Sequence, residues 1–118
     1  MNDTYGHDVG DIVLKETARR IKSCIRESDV AARMGGDEFT VLMTLVKNNE
    51  DVVVVAEKLI SVINNPITIS HFECKVGASI GVSIFPDNGD TPEKVIKKAD
   101  NALYEVKRAG KNNFRMSD

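Results

Sequence analysis

"ARMGGDEFTVL", residues 31–41, sets two glycines and two acids between two runs that alternate like β-strands. Residues 29–34, "DVAARM", and 38–44, "EFTVLMT", read as strands joined through Gly35-Gly36. Glycine takes positive φ at such a turn without strain, and its missing Cβ lets another group approach the backbone. Two readings of the tip stand side by side. One is an ordinary hairpin with a polar end. The other is a place where phosphates and metal ions sit, with Asp37 and Glu38 as oxygen ligands.

Upstream of the hairpin, residues from about Val9 to Arg26 have helical spacing. Leu14, Ala18, Ile21 and Ile25 form an apolar stripe, with Lys15, Glu16, Arg19 and Arg20 between them. Downstream, about Glu50 to Ile63 reads as a second helix with Val52, Ala56, Leu59 and Ile63 inward, although the valine run 52–55 also suits a strand. Asn64-Asn65-Pro66 ends it. "ITIS" and "FECKVGASIGVSIF" then read as a hairpin through Ser70-His71 with one long second strand. Val76, Ala78, Ile80, Val82 and Ile84 share one face of that strand. Gly77, Ser79, Gly81 and Ser83 line the other, small enough for a helix or a ligand to come close.

Thr91 and Pro92 make a good start for a third helix, and Gly110 a good stop. Its buried stripe is Val95, Ala99, Ala102, Leu103 and Val106, and "NNFRM" reads as a last short strand. The order α-β-β-α-β-β-α-β points to an α+β sandwich, helices packed on a mixed sheet. No repeat, linker or low-complexity segment interrupts it, so residues 1–118 read as a single domain.

Composition narrows the function classes. The chain is 42% hydrophobic and 29% charged with a net charge of −2, so it has no overall basic footprint for a nucleic acid polymer. No apolar run approaches the length of a membrane span. Residues 1–11, "MNDTYGHDVGD", lack the apolar centre of a signal peptide. Cys24 and Cys74 have neither metal-ligand spacing nor the density of a disulfide scaffold, and read as buried free thiols. A cytoplasmic location is the expectation.

By Gly35-Gly36-Asp37-Glu38-Phe39 the chain resembles the GGDEF domain of diguanylate cyclases, which join two GTP molecules into cyclic di-GMP. Three further stretches match in order: "NDTYGHDVGD" (2–11), "GASIGVSIFP" (77–86) and "ADNALYEVKRAGKN" (99–112). "RESD" (26–29) looks like the family's RxxD product-binding site. The family normally opens with a helix and a central strand ending in Asp-x-Asp-x-Phe-Lys. This chain begins at Met1-Asn2-Asp3, just after that segment, and reads as a truncated member.

The resemblance implies roles for particular residues. Joining nucleotides needs a 3′-hydroxyl to lose its proton and attack an α-phosphate, with Mg²⁺ holding much of the charge. Asp37 is implied as metal ligand and proton acceptor and Glu38 as its assistant, with Gly35 and Gly36 admitting phosphate. Lys107 and Lys111 are implied to face the triphosphate; their plain alternative is solvated lysines favouring a helix C-terminus. Asn2 and Asp11 match positions that read the guanine edge, while Asp11 also suits a helix start. His7, without a metal-spaced partner, reads as local structure.

Arg26 can fork onto a phosphate or stack on guanine, and Asp29 can accept from a guanine edge. By themselves they are an unremarkable helix-end ion pair. Arg33 and Arg115 add charge without an assigned place. Without the first-strand aspartate, Asp37 and Glu38 must hold the metal alone. Cyclic di-GMP binding at Arg26 and Asp29 with little or no turnover is therefore the expectation, and an active Mg²⁺-dependent cyclase the alternative. A slot left by the missing strand predicts a homodimer, strand- or domain-swapped.

Overall fold

The hairpin forms where the alternation puts it. Strands β1 (Val30–Gly35) and β2 (Glu38–Leu42) pair antiparallel, with Val30 opposite Leu42, Ala32 opposite Thr40 and Arg33 opposite Phe39. The register shifts between Arg33 and Gly35, which brings Gly35 opposite Glu38 beside the turn. This computed structural model describes residues 3–35, 38–44 and 46–117, with side chains from Val9 onward. The expectations for Asn2, Gly36 and Asp37 lie outside the described residues, as does the side chain of His7.

The chain divides into two units, Met1–Val76 and Gly77–Asp118. The first holds α1 (Asp3–Cys24), the hairpin, α2 (Asn49–Ile63), and a second antiparallel pair, β3 (Ile67–Ile69) with β4 (Phe72–Cys74). Helix α1 starts well ahead of Val9 and stops two residues short of Arg26. The Asn48 side chain caps α2 by accepting from the Asp51 N–H at 3.0 Å. The valine run is helical. Val52, Ala56, Leu59 and Ile63 are all buried on a face that meets α1, and that burial outweighs the β-preference of valine.

Arg20 breaks the binary pattern. The sequence places it among the polar residues of α1, yet it is 8% exposed. Its guanidinium donates to the carbonyls of Val62, Ile63, Asn65 and Pro66, and its Nε–H donates to Glu16 at 2.9 Å. The last carbonyls of a helix have no partner within the helix. Here a cation from the neighbouring helix satisfies them, at the end of α2 where the helix dipole favours positive charge.

The second unit is a β-α-β crossover: β5 (Ile80–Val82), α3 (Pro92–Arg108) and β6 (Phe114–Met116), with β5 and β6 parallel. Thr91 caps α3 through Lys94, with Pro92 at its start, as the sequence foretells. The small face of β5 meets the helix. A methyl group at Gly81 would collide with the backbone of Ala99 and Leu103, and Ser83 Oγ donates to the Val95 carbonyl at 2.6 Å.

The single long strand is corrected. It appears as β4 and β5, with 75–79 unpaired between them. The physical reason lies beyond α3. The Ala78 N–H donates to Asn112 Oδ1 at 3.1 Å, and the Asn112 N–H donates to Ser79 Oγ at 3.1 Å. A loop side chain thus takes the Ala78 N–H that a ladder would use. The α+β class, the order of elements apart from this break, and the mixture of parallel and antiparallel pairing all stand. Cys24 is buried as expected, but Cys74 is only half-buried; both are free thiols. No described helix is long and apolar enough to cross a membrane.

Candidate functional site

The turn between α1 and β1 is built by one carboxylate. Asp29 is 8% exposed. Its Oδ2 accepts the Arg26 N–H at 2.9 Å, and its Oδ1 accepts the Thr44 N–H at 3.0 Å. Its own N–H donates back to the Arg26 carbonyl at 3.0 Å. Both main-chain groups of Arg26 are therefore bound to Asp29, while the Arg26 side chain is exposed. Thr44 Oγ1 donates to the Ser28 carbonyl at 3.4 Å and closes the turn against the segment after β2. The Thr44 and Arg26 N–H groups hold the Asp29 carboxyl below its ordinary value.

Chain spacing alone identifies Arg26 and Asp29 as a pair. It does not show that the aspartate faces inward. The expectation gave Asp29 a ligand-accepting role; in the structure each of its oxygens accepts one backbone N–H.

The hairpin end differs. Glu38 opens β2 opposite Gly35 and is exposed. Asp11, on α1, is exposed and engaged in an interaction of its own. Magnesium takes hard oxygen donors, commonly one or two carboxylates completed by substrate phosphates. Glu38, with Asp37 beside it in sequence, offers oxygen donors of that kind, so the residue types fit the ion. Among the described residues, no three His, Cys, Asp or Glu side chains gather into a metal-holding group.

In the second unit Lys107 is exposed in the last turn of α3. Helix α3 ends at Arg108, and Lys111 lies beyond it at φ 65°, followed by Asn112 at φ 53°. Gly110, at φ 121°, is the stop the sequence predicts. The left-handed bend puts Lys111 off the helix line but leaves its side chain exposed.

Sequence reasoning missed the ion cluster on α1. Glu16 pairs with Arg19 at 2.6 Å and with Arg20 at 2.9 Å. Hydrogen bonds from Arg19, then from Arg20, hold its carboxyl down to about 2. An open cleft of about 510 Å³ runs beside the cluster, lined by residues that include Ile12, Lys15, Pro66 and Ile67. Its two arginines already face Glu16 and main-chain carbonyls, so it is a groove beside a helix cap.

Comparison with known proteins places this geometry. Residues 1–113 match the family model "Diguanylate cyclase, GGDEF domain". The chain belongs to the GGDEF-domain family of diguanylate cyclases, a family of cyclic di-GMP signalling. It is 41% identical over 114 residues to the bifunctional diguanylate cyclase/cyclic di-GMP phosphodiesterase MucR of Pseudomonas aeruginosa, covering 97% of this chain but only 16% of MucR. It superposes on the GGDEF domain of TpbB (YfiN) from Pseudomonas aeruginosa with a TM-score of 0.89 at 37% identity, covering 99% of this chain and 69% of that one. The GGDEF domain of DgcB from Caulobacter crescentus, solved in complex with c-di-GMP, matches at a TM-score of 0.76 and 28% identity, covering 98% and 68%.

Proposed function

We propose that this chain binds cyclic di-GMP at the turn between α1 and β1, with Arg26 as the contacting side chain. One observation carries the reading: an exposed arginine stands on a turn whose main chain is held on both sides by the buried Asp29, its N–H by the carboxylate and its carbonyl by the Asp29 N–H. A guanidinium presented in this way can fork onto a phosphate or stack on guanine with little ordering left to do. The DgcB complex lends support at the level of the family.

Family resemblance supplies Asp37 and Glu38 as carboxylates for Mg²⁺. Bound there, the ion would neutralise phosphate charge. Glu38 would supply oxygen from the exposed strand end, and the glycines would leave room for phosphate. The second reading, an active cyclase, is favoured by the exposed position of Glu38, paired opposite Gly35.

Self-association belongs to the same proposal. Val30, Met34 and Leu42 are 56%, 68% and 61% exposed, and Val30 and Leu42 share a face of the hairpin with Ala32 and Thr40. Each described strand has a single neighbour. Open edges beside an apolar face favour pairing with a second copy. Sedimentation across a wide concentration range tests this, and a monomer at every concentration would remove it.

Calorimetry with cyclic di-GMP tests the main reading. Binding by the wild type, weakened at least about tenfold in Arg26→Ala, is the expected result for loss of a charge-assisted contact. Equal affinity in both proteins, or none in either, would contradict it.

A further inference from the structure

We propose that the outer edge of β3, with the cleft beside it, is a docking site for an extended acidic segment of a partner protein, which adds to the β3–β4 pair as a third strand. The inference stands apart from the dinucleotide reading and uses none of its residues. Strands β3 and β4 are joined by the two-residue turn Ser70-His71, with Ser70 at φ 53°. A turn of that length is closed by a hydrogen-bonded pair, here Ile69 and Phe72. Bonded and non-bonded pairs alternate along an antiparallel ladder. The next pair, Thr68 and Glu73, is therefore non-bonded, and the Thr68 N–H and C=O point away from β4. Among the described residues β3 has no other strand beside it, and Thr68 is exposed. One residue thus offers both the donor and the acceptor that an incoming backbone needs.

The cleft beside this edge sets the chemistry of the occupant. Thr68 and its neighbours Pro66 and Ile67 line it together with Ile12, Lys15 and Arg19 of α1. Lys15 is exposed and has no hydrogen-bond or ion-pair partner among the described residues. Arg19 spends its Nε and Nη2 on Glu16 and keeps Nη1, and its side chain is 69% exposed. Glu16, the one carboxylate of the cleft, is already held by Arg19 and Arg20. Open cations therefore face an open strand edge, with the half-exposed Ile12 as apolar surface between them. A strand laid along β3 sends alternate side chains to each face. Carboxylates at the positions on the cleft side meet Lys15 and Arg19, and lysines there would be repelled.

A second copy of the chain fits this edge poorly. Pairing β3 with β3 about a two-fold axis would set Lys15 and Arg19 of both copies on the same face of the joined sheet, with no open carboxylate of the cleft to answer them.

The first test is fluorescence anisotropy of the full chain with a labelled, capped heptapeptide that alternates threonine with glutamate. Saturable binding is expected. The same peptide with lysine in place of glutamate should bind at least about tenfold more weakly, and Lys15→Glu should weaken the glutamate peptide at least about fivefold. Lys15 holds no other described residue, so this variant keeps its fold. Equal binding of the two peptides, an unchanged affinity in Lys15→Glu, or no binding of the glutamate peptide would overturn the proposal. The second test reads the strand itself in the unaltered chain. Amide hydrogen exchange at Thr68 should be fast in the free protein and slowed at least about tenfold by saturating glutamate peptide. Binding that leaves Thr68 exchange unchanged would mean that the peptide rests on the cations without adding a strand, and would overturn the proposal. Protection of Thr68 that grows with protein concentration in the absence of peptide would assign the edge to a second copy, and would overturn it equally.

Discussion

Asp29 and Glu38 lie a few residues apart on the same stretch of chain, and family resemblance gives each a part in handling nucleotides. Their surroundings are opposite. Asp29 is buried and both of its oxygens accept backbone N–H groups from separate segments. Glu38 stands exposed at the start of a strand, opposite a glycine. A buried carboxylate that accepts from two segments helps to build the protein. One that faces water is available to a cation or a proton. The same contrast runs through the arginines of the first unit: Arg20 is consumed by the end of α2, while Arg26 is presented outward.

The contrast can be broken first at Arg20. Arg20→Ala takes a charged donor from the carbonyls of Val62, Ile63, Asn65 and Pro66, of which Val62 keeps the Asn65 N–H, and leaves Glu16 without one of its partners. A loss on the order of 3 kcal/mol in urea unfolding is expected, since bonds from a charged group are the strong ones. Arg20→Lys should recover little of it, because an ammonium cannot reproduce the planar fork. A change under about 0.5 kcal/mol, the usual surface value, would mean that the cap is ornamental.

Acid sharpens the comparison. Glu16 is held down from 4.5 to about 2 by Arg19 and Arg20, and Asp29 is held below 3.8 by Thr44 and Arg26. A carboxylate lowered in the folded state adds stability above its unfolded value and loses it as pH falls through the folded one. Melting temperature should therefore fall as pH drops from 4.5 toward 2. The fall should be shallower in Glu16→Gln and in Asp29→Asn, each already less stable at neutral pH. An identical acid slope in wild type and both variants would contradict these assignments.

The smallest effect is expected at the exposed acid. Glu38→Ala should change unfolding stability by no more than about 0.5 kcal/mol, as surface substitutions do. Asp29→Ala should melt clearly lower than Glu38→Ala. The reverse order would undo the division between the two acids.

Much of the fold was legible because its signals are local. The Thr91-Pro92 start of α3, the stop at Gly110, the stripe from Val52 to Ile63 and the small face of β5 each follow from neighbours within a turn or two. The features that escaped are long-range. Arg20 looks like a solvated helix residue until α2 ends beside it. The break between β4 and β5 depends on Asn112, on the far side of α3. The inward bond of Asp29 was hidden because its partner Thr44 lies beyond the whole hairpin. The identity of the candidate-site residues was spelled in the chain, but the direction each side chain faces was set by packing that no short window contains.

The most direct test of the account is a titration of cyclic di-GMP into isotope-labelled protein, followed by amide chemical shifts. The account predicts saturable changes centred on residues 26–29, with those at Glu38 and Phe39 small, and with the pattern lost in Arg26→Ala. Changes centred on Glu38 and Phe39, with residues 26–29 unmoved and Arg26→Ala behaving like the wild type, would contradict it.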